Sequence, residues 1–67
     1  MNFIIRKPIF YEDVRVGQIY TVTANGGHFH KQMTVVDCSR GLITLMEGGN
    51  KQIITKTSLE NSSVSLY

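Results

Sequence analysis

The chain has 67 residues, 42% of them hydrophobic and 18% charged, with a single proline, a balance that excludes a disordered segment and a two-domain enzyme alike. Seven Lys/Arg against five Asp/Glu give a net charge of +2, well short of the dense basic stripe of a dedicated nucleic-acid binder. The one cysteine, Cys38, excludes an intrachain disulfide and a four-thiolate zinc site, and a reduced, cytoplasmic setting is the simplest expectation.

At the N-terminus, Phe3-Ile4-Ile5 precedes Arg6-Lys7-Pro8, the reverse of the charge-then-apolar order of a secretory signal. No apolar run approaches the ~20 residues of a membrane span, so no membrane role is expected. The residues before Val14 read as an N-terminal arm or extra edge strand, because Pro8 cannot donate to a sheet ladder. Within it, Ile9 to Asp13 reads as a loop or one helical turn.

From Val14 onward, short β-branched and threonine-rich runs alternate with glycine clusters, which predicts an all-β domain. A first strand runs over Gln18–Thr23 and ends at Asn25-Gly26-Gly27, residues that tolerate the positive φ of a turn. A second strand is expected over Lys31–Asp37, followed by a turn at Cys38-Ser39-Arg40-Gly41 and a third strand over Leu42–Met46. Glu47-Gly48-Gly49-Asn50 then closes a hairpin onto Lys51–Lys56. Thr57–Asn61, with Ser58 as candidate N-cap, suits a single helical turn, and Ser62–Tyr67 alternates as a last strand. The expected core is Val16, Tyr20, Val22, Met33, Val35, Ile43, Leu45, Ile53, Leu59, Val64 and Leu66, with Val14 on the same parity as Val16. Ile53 and Ile54 compete for the inward position, since a one-residue slip exchanges the faces.

Five strands in this order, with Val14-x-Val16-Gly17-x-x-Tyr20-x-Val22 opening the first and Thr57–Asn61 placed as a short 3₁₀ turn before the last, resemble the SH3-like small barrel over about residues 14–66. The resemblance implies a five-stranded SH3-like barrel as a single domain over residues 1–67, with residues 1–13 as its arm. The chain departs from peptide-binding SH3 domains in having no tryptophan and no acidic run in the Asn25–His30 loop, which removes the aromatic groove of polyproline recognition. It also lacks the spaced glycine and basic signature of ribosomal KOW segments. An OB-fold would need a helix between the third and fourth strands, and the Glu47–Asn50 connection is too short to hold one.

Candidate chemistry is sparse. His28 and His30 at i and i+2 project to one side of an extended chain, and Cys38 would be a third ligand. With no nearby carboxylate the ligand count falls short, and no metal or other cofactor is expected. Nothing joins Cys38 to a base, an orienting carboxylate and an oxyanion site, and neither glycine pair matches a phosphate-binding fingerprint. The chain is therefore read as non-enzymatic.

Two binding surfaces remain. The arm carries Phe3, Ile4, Ile5, Ile9, Phe10 and Tyr11 within a short stretch, more large apolar groups than one side of a small barrel covers, and such a patch marks an interaction surface. Phe3, Ile5, Phe10 and Tyr11, together with the adjoining Asn25–His30 loop and its His28 and Phe29, are the expected contacts to a protein partner. A homodimer through the arm is another outcome, and a lid over the barrel a third. A chain of this size suits a phage- or mobile-element-encoded modulator of a host protein. The alternative is nucleic acid, held by Arg15, Lys31, Arg40 and Lys51 with Phe29 as a stacking platform, although interspersed acids dilute that field.

Overall fold

The computed structural model describes residues 8–67. Five antiparallel strands, β1 (Ile19–Ala24), β2 (Phe29–Ser39), β3 (Leu42–Glu47), β4 (Asn50–Thr55) and β5 (Val64–Leu66), form one sheet in the order β4-β3-β2-β1-β5. The all-β class follows directly. Among the described residues a single α-helix, α1 (Lys56–Glu60), carries the chain from β4 to β5, and short 3₁₀ turns occupy Tyr11–Asp13 and Asn25–Gly27. Among the described residues no helix is long and apolar enough to cross a membrane.

Local chemistry explains where the chain turns. Ser39 pairs with Leu42 across Arg40-Gly41, whose φ values are both positive (55° and 72°). That is the signature of a type I′ turn, whose twist matches that of the strands it joins. Cys38 is consequently a strand residue of β2, not part of the turn. β2 also begins at Phe29 rather than Lys31, so Phe29 and His30 are paired strand residues opposite Ala24 and Thr23.

The entry to β1 corrects the expected core. The Gln18 N–H donates to the Arg15 carbonyl (3.3 Å) and Gly17 has φ +92°, a type II turn with Val16 at its outer corner. Val16 is therefore 59% exposed. Gly17 then donates to the Val35 carbonyl (2.8 Å) while Val35 donates to the Gln18 carbonyl (3.0 Å). This is a glycine bulge that starts the β1–β2 ladder and returns the chain to inward parity at Tyr20 and Val22. The Tyr20 hydroxyl accepts from the Arg15 N–H at 2.9 Å and fixes the same turn from inside.

A second bulge lies in β2, where pairing moves from Val35↔Leu45 to Asp37↔Thr44 and leaves Val36 unpaired. The extra residue brings half-buried Cys38 opposite fully buried Ile43 and leaves Asp37 exposed. A continuous alternation would have driven that carboxylate toward the core, at the cost of its desolvation.

The core consists of Val14, Tyr20, Val22, Met33, Val35, Ile43, Leu45, Ile54 and Leu66, with Ile9, Tyr11, Phe29, Cys38, Leu59 and Val64 packed partly buried against it. Ile54, opposite Ile43, wins the inward position in β4, and Ile53, opposite Thr44, is 57% exposed on the outer face. Pairing to β3, whose inward residues are already fixed as Ile43 and Leu45, decides that choice. The turn before β5 is α-helical and starts one residue earlier than expected. Its N-cap is Thr55, whose side chain accepts from the Ser58 N–H at 3.1 Å, so Ser58 sits inside the helix.

Candidate binding groove

On the inner face, β1 and the start of β2 present Val22 beside Lys31 and Ala24 beside Phe29, with β5 adding Val64 opposite Ala24. Across from them stands β4. Between the two lies a groove of ≈ 210 Å³ lined by Val22, Ala24, Asn25, Phe29, Gln52, Ile53, Ile54 and Val64. Small-molecule sites usually enclose about 300–1,000 Å³. This groove is smaller, none of its described lining residues is charged, and it suits one or two apolar side chains.

Phe29 joins the groove because strand pairing turns it to the same side as Lys31 and Met33, leaving His30 on the opposite parity. His28 is the residue that closes the 3₁₀ turn before β2, with φ −65°. Its backbone is thus helical where an extended one was expected, and the two imidazoles are not set side by side along one strand. Cys38 lies eight residues along β2 from His30, about 26 Å at 3.3 Å per residue, so it cannot share a metal ion with them. Among the described residues no group of three His, Cys, Asp or Glu is placed to hold one.

The expected arm contacts separate. Phe3 and Ile5 lie outside the described residues. Phe10 is 70% exposed and lines a second recess with Pro8, Ile9, Leu59, Glu60 and Ser62, which shares no residue with the groove at Phe29. Tyr11 faces the opposite way. Its ring packs against the core, its hydroxyl accepts from the Gly41 N–H at 3.0 Å, and the Lys56 ammonium stands 5.6 Å from its ring centre while reaching Glu12 at 3.2 Å. The segment around Tyr11 thus straps the β2–β3 turn to the start of α1, and Ile9 extends it by donating to the Leu66 carbonyl of β5 at 2.8 Å.

The four expected phosphate contacts do not converge. Arg40 is in the turn before β3 and Lys51 is next to the turn after it, at opposite ends of a six-residue strand. Arg15 belongs to the turn beside Val35, whereas Lys31, opposite Val22, and Lys51, next to Gln52, border the groove. Sequence reasoning placed Asn25 and Phe29 in a contact loop and missed Val22, Ala24, Gln52, Ile53, Ile54 and Val64 as groove residues. Val22, Ala24, Ile54 and Val64 share inward strand parity, which is also the signal of core. Comparison of the chain with protein-family models, curated proteins and solved structures finds no match.

Proposed function

We propose that this protein is a non-enzymatic binding module of the SH3-like small-barrel type that engages a protein partner through the groove between β4 and the β1–β5 side. The barrel reading is supported by the strand order and by the one-turn helix before β5. One observation carries the functional reading: an uncharged apolar groove with Phe29 in its wall, sized for side chains and not for a cofactor. Host-modulating action in the cytoplasm is consistent with it.

Nucleic acid is the second reading, favoured by Phe29 and Lys31 standing two residues apart on the same face of β2, an aromatic platform beside a cation. One experiment separates the two. The tagged chain and its Phe29→Ala and Lys31→Gln variants are used for capture from cell lysate at low and moderate salt, with and without nuclease. A stoichiometric protein that persists through both treatments and is lost with Phe29→Ala supports the first reading. Nucleic acid that falls away steeply with salt, and more so with Lys31→Gln, replaces it with the second.

A further inference from the structure

β4 lines the groove with main chain as well as side chains. Lys56 donates to the Gly41 carbonyl at 2.8 Å. Because opposed residues in an antiparallel ladder alternate between bonded and non-bonded pairs, this sets the phase of the whole hairpin. Ile54 and Gln52 direct their N–H and C=O groups toward β3, and Ile53 and Lys51 direct theirs away from it. Ile53 therefore turns its side chain to the outer face and its backbone to the groove. Among the described residues β4 is an edge strand, with no strand on that side.

The charged residues adjacent to the lining have one sign. No Asp or Glu is adjacent, in sequence or in strand pairing, to any of the eight lining residues, whereas Lys31 pairs with Val22 and Lys51 precedes Gln52. Of the acids, Glu12 is engaged by Lys56, and Glu47, half-buried opposite Asn50, marks the limit of the basic margin.

Building on the protein-binding reading above, we infer that β4 receives an extended segment of the partner as an added strand, with an apolar side chain seated against Phe29 and Val64 and flanking carboxylates drawn to Lys31 and Lys51. In such pairing the main-chain hydrogen bonds supply affinity and the pocket supplies selectivity. Lysine on an edge strand discourages pairing with a second copy of the same strand. Here it also selects an acidic partner over a basic one.

The test uses the full chain. Random twelve-residue peptides displayed on phage are selected against it, and the enriched peptides are synthesised and titrated into isotope-labelled protein. The expected peptides alternate Val, Ile or Leu with Asp or Glu, and they shift the amide signals of Lys51, Ile53, Phe29 and Val64. N-methylation of alternate peptide bonds, which removes ladder donors without altering the protein, lowers affinity by about tenfold or more. Lys51→Glu weakens the acidic peptide and favours its lysine counterpart. Enriched peptides that shift Phe10 and Leu59 instead, or that tolerate N-methylation, overturn strand addition and leave protein binding standing. Enrichment of no peptide, together with capture of nucleic acid alone, overturns both.

Discussion

The two edges of the sheet are finished differently. β5 is three residues long, its Leu66 is fully buried, and the Leu66 carbonyl on its outer side is taken by Ile9. β4 is twice as long and borders an apolar groove, with no strand beyond it among the described residues. A short, covered edge resists pairing with other chains and a long, open one invites it. The contrast places stability on the β5 side and, on the reading proposed above, interaction on the β4 side.

The largest test of that division compares the edges directly. Leu66→Ala should lower unfolding free energy by about 2–5 kcal/mol through cavity formation, a large share of the total for a chain this small. Ile53→Thr on β4 should stay within about 0.5 kcal/mol, as surface changes do. Urea unfolding measures both, and equal losses would end the distinction.

Next in size is Gly17→Ala. At φ +92° a β-carbon meets no neighbouring atom, so the cost is conformational, about 1–2 kcal/mol. The loss should appear as faster hydrogen exchange at Val35, the bulge partner of Gly17, while the β3–β4 ladder keeps its protection. Uniform loosening would show that the type II turn does not act locally.

Tyr11→Phe removes one hydrogen bond from the strap while keeping its ring, a cost of about 0.5–1.5 kcal/mol. The exchange-exposed amide should be Gly41. Peptide binding at β4 should be unchanged.

The smallest effect concerns the Glu12–Lys56 pair on the strap. A backbone hydrogen bond and then the Lys56 ammonium hold the Glu12 carboxyl below its ordinary 4.5, and the bond to Glu12 chiefly raises Lys56 above its ordinary 10.5. A lowered acid contributes stability that is present above 4.5 and lost as pH falls through the folded-state value. A raised base contributes stability present below 10.5 and lost as pH rises through its own folded-state value. Both groups are solvent-exposed, so the effect is slight and screened by salt. Glu12→Gln should flatten the acid side of a melting-temperature profile at low ionic strength, and a profile identical to that of the parent would remove the pair from the strap.

Much of the fold is legible in the sequence because glycine-bounded β-branched runs leave few alternatives. Asn25-Gly26-Gly27, Arg40-Gly41 and Gly48-Gly49 each fall between strands, and the inward residues of β1, of β3 and of β2 up to its bulge follow period-2 alternation. The misplacements have local causes. Val16 lies on a turn corner that interrupts strand parity. Ile53 and Ile54 are chemically equal candidates that only pairing separates. The groove was legible only at Asn25 and Phe29, since an inward apolar residue reads the same whether it faces packed core or open space.

Alternation and turn chemistry, acting within a few residues, determined the all-β class, the number of strands and most of the core. Which β4 isoleucine is buried, how the cations are dispersed, the inward docking of Tyr11 and the opening beside β4 depend on register between strands distant in sequence. No local preference encodes that register; it is set when the buried faces of β1, β2 and β3 are packed together.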